Sequence, residues 1–279
     1  MRRLSSSAWL AVASIASIVG GIAWQQWLVR NDARRAAMRI DSWETVTVEY
    51  DLGDPHEFSA DERAAIAYVA RRAVPDVRRV LPQAPASIVL RVTSVSPNKV
   101  TPETGDSAYS IPPNIVAWGV DAKRKEGIVD IAHALLRPVL FHEMHHLARN
   151  AEIAEFTFHE TVVSEGLATA FERDYGGGDA APPWGQYPAD VEVWAREVLV
   201  LPTNAPRGVW LTRHPDGRRW VGLRVGTFVA DCATRTSGKT SIELVRVPAD
   251  TVIGMCPAVA GLREGAAGGS PITLDATVP

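Results

Sequence analysis

The stretch Val139 to Leu147, VLFHEMHHL, constrains this chain more than any other. On a helix, His142 and His146 are four residues apart and share one face, while Glu143 sits one step round and can reach past them. That is HExxH geometry. Two neutral imidazoles bind Zn²⁺ through nitrogen, a third protein ligand completes three, and an open fourth position holds water. The metal lowers the pKa of that water, and a glutamate beside it can take the proton and hand it to a leaving amine.

Nineteen residues after His146 stands Glu165, in the segment VVSEGLATAFERD. Val162, Val163, Leu167, Ala170 and Phe171 recur there at helical period, so a second helix packed on the first could present one carboxylate to a metal. The alternative pattern HExxHxxGxxH needs Gly and His where this chain has Arg149 and Glu152.

Together, LLRPVLFHEMHHLAR, SEGLATAF and the later GLRVGTFVADCA resemble an uncharacterised bacterial family of predicted Zn-dependent proteases in the gluzincin clan, over roughly Val46 to Val252. The resemblance implies a zinc ligand set of His142, His146 and Glu165, with Glu143 as general base and a peptide or protein as substrate. It also implies an α+β, thermolysin-like zincin: a small N-terminal mixed-sheet lobe, a helical C-terminal lobe and the active-site helix between them. Two positions depart from better-known gluzincins. Thr169 stands where an Asp orients a zinc-binding histidine, and a hydroxyl could do a weaker version of that work. Leu223 stands where the family often has Tyr, which leaves the oxyanion-stabilising residue open among Tyr187, Tyr175, His214 and Arg224. The GxMEN motif of related aminopeptidases is absent, which favours an endopeptidase. A second reading, a zinc-containing but catalytically silent peptide-binding domain at the membrane, rests on Thr169 and Leu223. The retained Glu143 speaks against it.

The chain ends bear on location. Ala8 to Val29 runs 22 residues without a charge, enough for a helix of about 33 Å. Residues 1–30 therefore read either as a cleaved signal peptide, ending near Gly21-Ile22-Ala23, or as a membrane anchor with Trp24 and Trp27 at the interface. Arginines flank both sides, and those at 30, 34, 35 and 39 would hold the following domain in the cytoplasm. The secretory character of the first 23 residues and the pair Cys232 and Cys256, which could form one disulfide, place it instead outside, in a periplasmic setting. A net charge of -3 gives no reason to expect nucleic acid as a partner.

Between the ends, residues 31–44 read as a linker, 45–257 as the metallopeptidase domain and 258–279 as a disordered tail. Alternating patterns predict strands over Thr45–Tyr50, Ser87–Ser94 and Asn114–Asp121. A helix runs from a Ser59 cap to Leu81, kinked or divided at Pro75. Pro97 to Pro113, rich in Pro, Gly, Ser and Thr, reads as a loop. In zincin folds the strand before the active-site helix lies at the cleft edge and pairs with extended substrate, which points to Ile115–Val120. The active-site helix starts near Leu135, because Pro138 is tolerable only in a first turn. Gly176 to Pro188 is a mobile rim loop whose Trp184 and Tyr187 could close over substrate, and helices follow over Asp190–Leu201 and Trp220–Ala233. His133 and His159 read as structural, and His145 as a supporting or solvated neighbour of the ligands.

Overall fold

The computed structural model describes residues 38–51, 53–153, 157–177 and 182–262. The segment expected to be a signal peptide or anchor, half of the linker and most of the tail lie outside those residues. Among the described residues no helix is long and apolar enough to cross a membrane.

Five strands form one mixed sheet: β1 Met38–Ser42, β2 Val46–Asp51, β3 Ile88–Ser94, β4 Asp106–Ile111 and β5 Ile115–Val120, in spatial order β1-β2-β3-β5-β4. β2, β3 and β5 run parallel, and β1 and β4 close the two edges antiparallel. The crossover from β2 to β3 is helix α1, Ala60–Val80. A Ser59–Glu62 capping box starts it, with Asp61 and Glu62 in its positive first turn. Pro75 does not divide it, and the helix continues through that residue to Val80. Its stripe of Ile66, Val69, Ala70, Ala73, Val74 and Val77 packs with Val48, Leu90, Val92, Val116 and Trp118 of the sheet in one core.

Two expectations about the sheet change. Met38–Ser42, read as linker, is an edge strand, so the ordered structure begins before residue 45. Asp106–Ile111, read as loop, is the opposite edge strand, and it makes Ile115–Val120 an interior strand with Trp118 fully buried. The sequence DSAYSI hides this strand because an edge strand with half-exposed faces needs no apolar alternation. Trp118 donates its indole N–H to buried Asp106 at 2.9 Å, tying the two strands on the inner face.

After β5 the chain winds through a short helix α2, Gly127–Ile131, and a π-helical turn, Ala132–Leu136, into α3, Arg137–Glu152. The π turn ends at Leu136, two residues before Pro138. Its wider winding accommodates a residue that lacks an N–H and would clash with the carbonyl four residues back. α4, Phe158–Tyr175, packs on α3 from the other side, and with α5 Val191–Leu199, α6 Arg207–Leu211, α7 Val221–Ser237, α8 Ser241–Leu244 and α9 Ala249–Gly254 it builds the helical lobe. That lobe has its own core, including Val162, Leu167, Val198, Val225, Val229 and Ile253. Val259, read as tail, is buried within it.

Three ties hold the helical lobe together. Arg149, wholly buried at the end of α3, donates to Glu160 of α4 at 2.6 Å and to the carbonyls of Leu244 and Val245 at 3.2 Å. Glu160 accepts in turn from the backbone N–H of Ala249 at 2.6 Å, so one ion pair joins α3, α4 and the segment from α8 to α9. The second tie is the Cys232–Cys256 disulfide, which forms as the sequence allowed and joins α7 to the residues after α9. The third is a direct backbone contact. A Cβ on Gly166 would lie 2.0 Å from the carbonyl oxygen of Gly226, and one on Gly226 would lie 2.1 Å from that of Val162.

Two measurements follow from these ties. Gly166→Ala forces α4 and α7 apart, and a loss of about 1–3 kcal/mol is expected in denaturant unfolding; wild-type stability would show the helices separate freely. Replacing both cysteines by Ala removes a closure spanning 24 residues and is expected to cost about 3 kcal/mol. No change in the midpoint of unfolding would show the bond contributes nothing.

Candidate metal centre

α3 and α4 bring His142, His146 and Glu165 together, as the sequence predicted. The two imidazole Nε2 atoms are 3.0 Å apart. Glu165 Oε2 lies 3.4 Å from His142 Nε2, and Oε1 lies 3.6 Å from His146 Nε2. Ligands 2.0–2.1 Å from a tetrahedral zinc are about 3.3–3.4 Å from one another. The three donors are therefore already spaced as the edges of such a site.

The outer nitrogens fix which atoms face inward. His142 Nδ1 lies 3.0 Å from Glu172 Oε2, and a carboxylate accepts, so Nδ1 carries a proton and Nε2 is the nitrogen that faces Glu165. His146 Nδ1 lies 2.9 Å from Ser164 Oγ. With both outer nitrogens engaged, two Nε2 atoms converge on one point beside a carboxylate. A divalent cation relieves that arrangement, and the nitrogen and oxygen donor set suits zinc.

Thr169 does not take the orienting role the sequence suggested. Its hydroxyl is buried and has no hydrogen-bond partner among the described residues. The carboxylate comes from Glu172 instead, seven residues after Glu165 and so two turns along the same face of α4. That spacing was a usable signal. Ser164, adjacent to Glu165, carried none.

Electrostatics match the geometry. Burial pushes His142 toward its neutral form, but hydrogen bonds to Glu165 and Glu172 and the nearby carboxylate charges outweigh it and raise its pKa well above the usual imidazole value. Burial pushes Glu165 up, yet the charge of His146 and hydrogen bonds to both imidazoles hold it well below the usual carboxylate range. Glu143 is raised, chiefly by burial and further by Glu165 and Glu172, against the pull of the two histidines. His145 is a core residue rather than a solvated one: its ring packs on Phe171, and burial drives its pKa well down. His159 is likewise buried, within α4, and His133 sits in the π turn.

The three donors and Glu143 open onto a cleft of about 450 Å³ between the lobes. Asp106 to Ser110 of β4 form one wall, and Trp184, Arg207, Trp220 and Leu223 stand on the helical side. None of Tyr187, Tyr175, His214 and Arg224 lines it. Tyr187 donates to Asp231 at 3.2 Å, Tyr175 packs on Phe171, His214 pairs with Asp216, and Arg224 donates to the Pro183 carbonyl. Tyr109, Asn150 and Arg207 bring donors to the wall instead.

With this geometry established, residues 67–254 match the family model described as predicted Zn-dependent protease (DUF2268). The chain belongs to that family. No curated protein matches it. Among solved structures, an aminopeptidase N family protein from Idiomarina loihiensis is similar, with a TM-score of 0.45 at 12% identity over 80% of this chain and 42% of that one. This chain thus spans about two-fifths of that protein's length.

Zinc takes a neutral imidazole and must displace the proton that Glu165 and Glu172 stabilise on His142. Affinity is therefore expected to fall on acidification from above the ordinary imidazole range. Glu172→Gln is expected to weaken zinc binding about 10–100-fold at alkaline pH, by competition with a chromophoric chelator. The loss should shrink toward acid, where the wild type must also expel its more tightly held proton. A pH-independent loss would mean that Glu172 serves only packing.

Proposed function

We propose that this chain is a zinc-dependent endopeptidase with a gluzincin-type, thermolysin-like centre. His142, His146 and Glu165 hold the metal, Glu143 is the general base, and Glu172 and Ser164 orient the two imidazoles. The observation that carries this reading is the convergence of two Nε2 atoms, each with its Nδ1 engaged from behind, and one carboxylate at zinc-ligand spacing, beside a buried glutamate in an open cleft.

When bound, zinc supplies a Lewis acid that acidifies a water and polarises a peptide carbonyl. The protein's residues do the rest. Glu143 accepts the water's proton and delivers it to the departing amide nitrogen. Burial raises its pKa toward the working pH, and a base poised in that way gives the proton up as readily as it takes it. Edge strand β4 offers the cleft a row of backbone groups on which an extended peptide can pair. Pairing of that kind reads the main chain and needs no free terminus, which fits cleavage within a chain.

The Cys232–Cys256 disulfide supports an oxidising compartment, and with the apolar stretch Ala8–Val29 it favours a periplasmic domain, secreted or anchored to the membrane by that stretch. A peptide or protein substrate and the membrane are its proposed partners.

Purified protein and its Glu143→Gln variant decide the matter. Both are expected to hold one zinc per chain, while the variant cleaves an unfolded protein such as casein about 10²–10⁴-fold more slowly. A chelator should abolish cleavage by the wild type, and kcat/KM should fall on the acid side as Glu143 takes up its proton. Zinc in both with cleavage by neither would favour the catalytically silent binder. No stoichiometric zinc would remove the ligand assignment.

A further inference from the structure

Trp220 is the only non-glycine residue with positive φ among the described residues, at φ 61° and ψ 30°. That left-handed conformation is costly for a residue with a Cβ, and Gly or Asn adopts it far more readily. The local fold demands the conformation. The N–H of Trp220 donates to the Thr212 carbonyl at 2.8 Å, Arg213 and Arg219 form an isolated bridge, and the Trp220 carbonyl accepts from Arg224 N–H to start α7. None of these contacts uses the indole, so the backbone would be served better by a glycine. The reason for tryptophan must lie in what the ring does.

The ring belongs to neither hydrophobic core. It stands half-buried on the wall of the cleft that holds Glu143, with the Arg219 guanidinium 4.9 Å from its centroid. Trp184 lies beside it on the same wall, ring centroids 5.0 Å apart and planes tilted by 59°. Trp184 is placed from the same helix: Thr227 of α7 donates to its carbonyl at 3.2 Å, and Arg224 donates to that of Pro183 at 3.1 Å. Its own indole N–H has no hydrogen-bond partner among the described residues, so packing and backbone contacts alone hold the ring. Leu223, one turn into α7, and Val139 of α3 extend the apolar surface toward the candidate metal ligands. One helix therefore presents two indoles and a leucine to the cleft as a unit, at the expense of a strained residue. Strain retained at a site wall points to use of the side chain.

We propose that Trp184 and Trp220, with Leu223, form the specificity subsite of the cleft, taking a large apolar and preferably aromatic side chain of the substrate beside the bond to be cut. This rests on the peptidase reading. Tilted indoles at 5.0 Å offer a face and an edge to a third ring, an arrangement that aromatic side chains satisfy better than aliphatic ones.

The test uses the zinc-loaded protein, Trp220→Asn, Trp184→Ala, and each of these combined with Glu143→Gln. Cleavage sites in a mixed peptide library, read by mass spectrometry, should show Phe, Tyr, Trp or Leu enriched at one position beside the cut. The ratio of kcat/KM for a Phe peptide over its Ala counterpart should drop at least 10-fold in either tryptophan variant. Trp220→Asn should keep or raise the unfolding temperature, because the backbone relaxes, which separates subsite loss from misfolding. In the Glu143→Gln background, a fluorescein-labelled Phe peptide should bind at least 10-fold more weakly once Trp220 is replaced. Cleavage without side-chain preference, or preference and binding unchanged in the variants, overturns the subsite. Selective binding with no cleavage by the wild type keeps the subsite and removes the peptidase; neither binding nor cleavage removes both.

Discussion

At the point where α4 crosses α7 no side chain stands between them. Gly166 and Gly226 meet backbone to backbone, and neither position has room for a methyl group. Glu165 is the neighbour of Gly166, so this contact sets how far its carboxylate stands from the imidazoles of α3. A donor displaced by an ångström no longer shares a tetrahedral site with the other two. The close approach also brings α7 to the cleft, and with it Leu223, Trp220 and the backbone contacts that seat Trp184. One glycine pair thus positions both the candidate ligand and the opposite wall.

Such a contact is short-ranged and weak by itself, and the surrounding structure secures it. The Arg149–Glu160 pair is buried and hydrogen-bonded to the carbonyls of Leu244 and Val245 and to the N–H of Ala249, joining α3 to α4 just beyond the candidate ligands. An unpaired charge there would be costly, so the network enforces one arrangement of the two helices. The disulfide closes the far side of the helical lobe. Around the imidazoles the support is unequal: a carboxylate behind His142 and a hydroxyl behind His146. A carboxylate holds the Nδ1 proton more firmly and makes the opposite nitrogen a stronger donor, so the two histidines are not equivalent.

The local features are legible in the amino-acid sequence. HExxH on one helix, Glu165 on a second, the amphipathic α1 with its cap, and β2, β3 and β5 as strands all follow from periodicity and capping. Where the fold departs from those patterns, non-local contacts decide the outcome. β4 is a strand because β5 offers it an edge, and its own residues carry little strand pattern. Pro75 stays inside α1, which the sheet holds along its length. Glu172, and not Thr169, reaches His142, although both belong to the same helix.

The sequence by itself determined the chemical kind of this protein. The spacing of His142, Glu143 and His146 is a property of one helix, whose period is set by backbone hydrogen bonds whatever surrounds it. Glu165 joined them because the HExxHx18E spacing lies within two short, strongly patterned segments. Tertiary structure alone decided which turn of α4 meets α3, which strand borders the cleft and which aromatic residues line it. The crossing of two helices is set by the side chains absent from their interface, here at Gly166 and Gly226, and those partners are 60 residues apart in the chain. No local pattern records that meeting.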